Sequence, residues 1–412
     1  MRATMTATSR KQQTKRRLFT GFVAVGAWTV FLTGAAPAAL ADGVQSQEWH
    51  LKPMQAEKMW KVSTGKGIKV AVVDGGVDPS TQSLRGRVLP GKDVSGAPGD
   101  ETRDDDGHGT TMAELIAGSG KGGTLKGLAP GAKIIPIRTT LKGMKGADTR
   151  KEHLGEAIRA AADSDAHIIN LSVAGAPHPK IKEAVEYAEK KGKLLLAGTG
   201  NDAKKGNRIN YPAAYPNVAG VGGIDRKGKV ADYSTYGDQT VLSGPAVGLP
   251  GWCDGKKERY CPQGGTSAAT AIASASAALI WSHHRNWTAN QVLRVLMKTG
   301  DLADRPSKYV GYGAVRPRIN LLEGKGDPGD PDISPLTGER TLHTKSSKEP
   351  SSHAKGSGKD DSNKEAASGR AKVADSKSKK EDGGWLLPAA GVAVGVIILA
   401  GCGFAAVRLR RN

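Results

Sequence analysis

Three cysteines in 412 residues are too few to staple a small secreted scaffold, so the fold must rest on a core. Aromatics are scarce as well, with 4 Phe, 8 Tyr and 7 Trp. The 55 glycines follow no Gly-X-Y period, which excludes a collagen-like chain. No internal repeat is visible. Acid is in short supply: 60 Lys and Arg face 40 Asp and Glu, for a formal charge of +20. An excess of that size invites a nucleic-acid reading, and the placement of the charges decides against it.

Six basic residues and no acid lie in residues 1–41, where a basic start precedes an apolar stretch, Leu18 to Phe31, and a small-residue run ending Ala39-Leu40-Ala41. That order is a secretory signal peptide, with Asp42 as the first mature residue. A second apolar segment, Trp385 to Val407, carries no charge and is followed by Arg408, Arg410 and Arg411. At ~1.5 Å per residue it suffices to cross the ~30 Å hydrocarbon core of a bilayer. The arginines place the tail 408–412 in the cytoplasm and everything before the span outside the plasma membrane. Residues 324–384 are rich in Ser, Lys, Asp, Gly and Pro, with twelve basic and eleven acidic residues. They are expected to form a polar, disordered tether. The remaining positive excess of ten falls on 42–323, a moderate value for a domain beside an anionic surface. No nucleic-acid partner is expected.

Residues 42–323 suit one α/β domain. Apolar runs at 68–73, 134–137, 168–171, 194–197 and 218–221 read as buried parallel strands. Helical patterns lie at 110–117, 149–163, 179–191, 267–283 and 288–298. This alternation predicts a mostly parallel sheet with helices on both faces, whose reactive groups gather beyond the carboxyl ends of the strands.

Four residues stand at such places. Asp74 ends the first strand before Gly75-Gly76, where a carboxylate can orient a histidine. His108 lies in Asp106-Gly107-His108-Gly109-Thr110-Thr111, just ahead of a helix. Asn201 closes Ala197-Gly198-Thr199-Gly200-Asn201, and its amide can donate to a developing oxyanion. Ser267 follows Gly264-Gly265-Thr266 at the start of a small-residue helix, where the positive end of the dipole suits a nucleophile. Each residue alone has an ordinary explanation as a cap or turn. The order Asp, His, Asn, Ser with these flanks, at spacings of 34, 93 and 66 residues, is far more specific.

In these blocks the chain resembles the subtilisin-like serine peptidases, the subtilases, over roughly 60–322. Asp-then-His-then-Ser order separates them from the other triad folds. Asn170-Leu171-Ser172 with Gly175 resembles the strand lining the family's substrate cleft, which implies substrate contacts at Ser172 and Gly175. Tyr211-Pro212-Ala213 and Gly311-Tyr312-Gly313 resemble further landmarks. The resemblance implies a serine endopeptidase with Asp74, His108 and Ser267 as triad and Asn201 in the oxyanion hole, needing no cofactor. Four positions depart from the family pattern. Gly75 replaces Ser or Thr, Thr111 a second His, Glu114 a Gly, and Thr270 a Pro.

Only a short segment separates Ala41 from the catalytic domain, too short for a folded propeptide, and Gln47 to Trp60 is expected to lie against that domain. With the signal peptide, tether and terminal span, this resembles the mycosins, membrane-anchored subtilases associated with type VII secretion in actinobacteria. The resemblance implies a membrane secretion complex as partner and an exported protein as substrate. The alternative function is a catalytically weak domain serving as a structural component of that complex.

Cys253 and Cys261 lie on the exported side and are expected to form a disulfide around a charged loop. No metal is expected: no further cysteine is available for zinc in the exported domain. Gly118-Ser119-Gly120-Lys121 lacks the spacing of a phosphate loop. Asp104-Asp105-Asp106 reads as solvated surface acid.

Overall fold

The computed structural model describes residues 43–141, 144–147 and 153–341. The sequence segments read as signal peptide (1–41), membrane span (385–407) and cytoplasmic tail lie outside the described residues. Among the described residues no helix is long and apolar enough to cross a membrane.

Helix α1 (Ala56–Trp60) is followed by the strands β1 (Lys69–Asp74) and β2 (Lys92–Asp93). Helix α2 (His108–Ala117), β3 (Lys133–Arg138), α3 (Leu154–Asp163), β4 (Ile168–Leu171), α4 (Pro179–Lys190) and β5 (Leu194–Gly198) follow. Strands β6 (Ala219–Ile224), β7 (Thr240–Pro245), β8 (Val247–Trp252) and β9 (Tyr260–Gly264) come next. Helices α5 (Thr266–His283), α6 (Ala289–Lys298) and α7 (Pro317–Glu323) complete the domain.

Among the described residues seven strands form one sheet in the order β2-β3-β1-β4-β5-β6-β7, and β8 and β9 form a separate antiparallel pair. Every pairing in the large sheet is parallel. Period-two side-chain alternation divides the strand residues between two cores. Val70, Val72, Ile168, Leu194 and Leu196 face the larger core, with α2, α5 and α6. Ala71, Val73, Ile169, Leu171 and Leu195 face the other, with α3 and α4. The expected doubly covered parallel sheet is therefore present.

Helix α5 runs through the larger core with nearly every residue buried. Its run of Ala and Ser is what lets an 18-residue helix lie close against β4, β5, β6 and β7. Thr270, on this helix where proline was the family pattern, donates its hydroxyl to the Thr266 carbonyl at 2.8 Å. The helix stays continuous past it.

Strand order reverses around β1: β3 pairs on one side of it and β4 on the other. A crevice opens at the carboxyl ends where such a reversal occurs, and β1 ends there in Asp74.

Two flanking segments pack on this frame. Trp49 Nε1 donates to Val247 O at 3.0 Å and Trp60 Nε1 to Leu128 O at 2.8 Å, so the segment 47–60 lies on the domain as expected. The other segment corrects the sequence reading. Residues 324–341, assigned to the tether for want of apolar side chains, form a strap across α6. Arg294 donates to the carbonyls of Pro328, Asp330 and Ile333 at 2.6, 2.9 and 2.5 Å. Asn290 donates to Pro331 O and Gln291 to Gly329 O. Side-chain amides and a guanidinium on α6 thus add to the little apolar burial the strap has, where Leu336 packs against the larger core.

Candidate active site

Asp74 is fully buried at the end of β1. Both of its carboxylate oxygens lie 2.9 Å from His108 Nδ1, and Oδ1 also accepts the Gly75 N–H at 2.8 Å. That contact makes Nδ1 the protonated nitrogen and leaves Nε2 as the lone-pair face. Gly75 fits its place: a Cβ there would stand 2.9 Å from Leu141 Cδ1.

His108 opens α2, and its side chain keeps 36 % of its surface exposed. The loop before it is organised by aspartates: Asp105 and Asp106 are exposed, as expected of surface acids, whereas Asp104 is not. Asp104 is buried and accepts from the Thr110 N–H at 2.8 Å, the Thr110 hydroxyl at 2.5 Å and the Gly107 N–H at 3.0 Å. Asp106 accepts the His108 N–H at 2.9 Å. Asp105 pairs with Arg103 at 2.8 Å. A carboxylate at the head of a helix satisfies N–H groups that the helix cannot. Asp104 and Asp106 therefore cap the helix, and the cue was the helical pattern immediately behind them. Burial lifts Asp104 to about 6 against its own hydrogen bonds to Thr110.

Burial works against the imidazolium of His108, but the charge and hydrogen bond of Asp74, helped by Asp106 and Asp104, outweigh it and raise the group to about 9.

Ser267 lies in the first turn of α5 and faces the same cleft as His108, a cavity of about 190 Å³ whose walls also include Leu249, Trp252 and Gln263. Its hydroxyl donates to Ser172 O at 3.3 Å, and the Ser172 hydroxyl donates to Ser267 O at 3.3 Å. Ser172 is fixed in turn by Asn170, whose amide nitrogen donates to Ser172 Oγ at 2.9 Å and whose oxygen accepts from Ser274 at 3.0 Å. The end of β4 is thereby pinned to α5. Gly175 pairs with Tyr211 in an antiparallel bridge just beyond.

Asn201 Oδ1 accepts the Thr266 N–H at 3.0 Å. That bond identifies the oxygen and leaves Nδ2, the donor, beside the first turn of α5. Thr266 Oγ1 accepts the Gly200 N–H at 3.1 Å, so this threonine ties the end of β5 to the serine turn. The sequence reading did not single it out. Its place directly before Ser267 was the available cue.

The cleft's outer wall is the β8–β9 hairpin. Cys253 and Cys261 face one another across it with Cα atoms 5.3 Å apart, inside the range that a disulfide requires. Trp252 stacks on Tyr260 with ring centroids 3.9 Å apart. The Trp252 N–H donates to Thr111 Oγ1 at 3.0 Å, which gives this position a structural use that a second histidine would not serve. Glu114, also on α2 and fully buried, accepts from Tyr260 Oη and from Thr81 Oγ1, both at 2.9 Å. Burial raises Glu114 to about 7 despite these donors.

The family model for the subtilase family of peptidases matches residues 65–313. The chain belongs to the subtilase family. It is 33 % identical over 287 residues to the minor extracellular protease Epr of Bacillus subtilis (strain 168), a match that covers 67 % of this chain and spans 43 % of that relative. Among solved structures, the subtilase chain resembles the MycP3 protease from the type VII (ESX-3) secretion system. The identity is 29 % and the TM-score 0.58, over 66 % of this chain and 87 % of that one. It also resembles MycP1, a serine protease described as an essential component of the type VII (ESX-1) secretion system. There the identity is 28 % and the TM-score 0.59, over 66 % and 88 % of the two chains. The fold and its likeness to the mycosin proteases thus agree with the sequence motifs.

Proposed function

We propose that the chain is an extracytoplasmic serine endopeptidase, tethered to the plasma membrane by residues 385–407 and working with a type VII secretion complex. The observation that carries the catalytic reading is the buried Asp74 carboxylate on His108 Nδ1 in a cleft shared with Ser267.

In this reading Asp74 fixes the tautomer of His108 and stabilises its imidazolium. His108 Nε2 takes the Ser267 hydroxyl proton as the oxygen attacks the peptide carbonyl, then passes it to the leaving amine. The acyl group stays on Ser267 Oγ until water, deprotonated by the same nitrogen, releases it. The oxyanion is met by Asn201 Nδ2 and the Ser267 N–H, one of the first-turn donors that a helix leaves unpaired. Ser172 and Gly175 border the strand edge on which the acyl-side peptide lies. A Cys253–Cys261 disulfide stiffens the opposite wall.

The type VII association rests on the likeness to MycP3 and MycP1 together with the sequence signature of an exported, anchored chain. The description of MycP1 as an essential component favours a second reading, in which the domain also serves the complex structurally. Labelling of the full chain by a fluorophosphonate, with Ser267→Ala as control, tests the enzyme. Folded wild-type protein that stays unlabelled overturns it. Secretion in a deletion strain carrying Ser267→Ala then separates the two readings: full rescue assigns the role to structure, loss of secretion assigns it to catalysis.

A further inference from the structure

Glu114 is a carboxylate without solvent access, placed on the helix that begins with His108. Burying an acid is costly unless its oxygens are bonded, and an apolar residue would fill the same space without that cost. Its two bonds are directional. One oxygen accepts from Thr81, which fixes the carboxylate, and the other accepts from Tyr260 at the start of β9. Three residues earlier on α2, Thr111 holds the Trp252 N–H. Positions three apart share a helix face, so α2 grips the hairpin at both strands. Tyr260 in turn backs the Trp252 ring.

Trp252 lines the cavity, whereas Glu114 and Tyr260 do not. The cavity contains His108 and Ser267 but not Asn201. It therefore lies on the side of the scissile bond where His108 hands a proton to the departing amine. Its lining combines apolar side chains, Met112, Leu115, Leu249, Trp252 and Ala268, with polar ones at Asp106, Thr111 and Gln263.

We infer that Glu114 and Tyr260 are positioning residues that hold the hairpin wall at a width admitting an apolar first residue of the leaving peptide. This rests on the protease reading above.

Acyl transfer isolates that side of the cleft. The full chain is acylated with a peptide methyl ester, whose methanol leaves the cavity free. Leucinamide or glycinamide then competes with water: the amine nitrogen bonds to the acyl carbon, the Ser267 Oγ–carbon bond breaks, and the amine proton returns through His108 to Oγ. Wild type should prefer leucinamide. The isosteric Tyr260→Phe, and Glu114→Gln beside it, should lower that preference roughly five- to tenfold, the size of one lost buried hydrogen bond. Ester hydrolysis should stay within about twofold, because neither side chain touches the reacting atoms. A folded Tyr260→Phe protein with an unchanged preference overturns the inference. So does an equal fall in ester hydrolysis, which would place the pair's effect on His108 instead. Wild type that neither labels with fluorophosphonate nor hydrolyses the ester removes the protease reading and this inference together. Labelled wild type with no preference between the acceptors removes the inference alone.

Discussion

The two walls of the cleft are built by different means. On one side, Asp74, Asn170 and Ser172 emerge from the carboxyl ends of adjacent parallel strands, and neighbouring main-chain ladders fix their spacing. On the other, a two-stranded hairpin outside the main sheet is held by side-chain bonds to α2, from Thr111 and Glu114. The proposed chemistry, which tolerates little displacement, depends on the rigid side. The wall inferred to meet the leaving peptide sits on the side that a few substitutions can reset.

Breaking the rigid side should cost most. Asp74→Asn keeps the shape but cannot accept from Nδ1 in the same way, and the wrong tautomer should lower kcat by about 10⁴-fold. Steady-state kinetics on a peptide substrate, with circular dichroism to confirm folding, checks this. Asn201→Ala removes the proposed oxyanion donor and should lower kcat by about 10²–10³-fold with little change in KM. A comparable loss in KM would mean that Asn201 binds the ground state.

The same contrast governs what the sequence made visible. Asp74, His108, Asn201 and Ser267 each close an apolar run or open a helix, so their positions followed from strand and helix ends. Five sheet strands were legible for the same reason. Strand β7, Thr-Val-Leu-Ser-Gly-Pro, is a sheet edge whose Gly and Pro hide the pattern. The β8–β9 hairpin is likewise broken by Gly and Pro. Glu114 was visible only as a departure from a family pattern, because its partners Thr81 and Tyr260 are 33 and 146 residues away. The strap 324–341 was misread since much of what holds it is its main-chain carbonyls, which any sequence supplies, with a single leucine, Leu336, against the core.

pH separates activity from stability. On the proposed mechanism His108 must be neutral to take the Ser267 proton, and against burial the charges of Asp74, Asp106 and Asp104 hold it up to about 9. kcat/KM should therefore rise through mildly alkaline pH and level off above that value. Stability should run the other way. Burial raises Glu48 to about 8, and Glu114 to about 7. Together with His108, these groups bind more protons folded than unfolded, so their contribution is lost as pH climbs through the folded values. His50, which burial lowers to about 3, opposes this only below the ordinary histidine value. Between about pH 6.5 and 9, Tm should fall while activity rises. Glu48→Gln should flatten the Tm slope and leave the activity profile in place. A parallel shift of both curves would mean that the segment around Glu48 acts on the cleft.

The smallest expected effect on catalysis lies farthest from both walls. Arg294 gives three hydrogen bonds from its guanidinium to the strap, and charged donors to carbonyls contribute more than neutral ones. Arg294→Ala should loosen 324–341, which Asn290 and Gln291 still hold to α6, and lower unfolding stability by about 2 kcal/mol. It should leave kcat/KM unchanged, because α6 lends no residue to the cleft. Hydrogen exchange read at the main-chain amides of 332–341 is the direct check, since Ser334 N–H to Glu339 O and Thr341 N–H to Asp332 O close that turn. Faster exchange there with undisturbed turnover would confine the strap to holding the domain. A fall in kcat would show that α6 and α5, which pack together in the larger core, pass a displacement on to Ser267, and that the rigid wall depends on more than its strand ends.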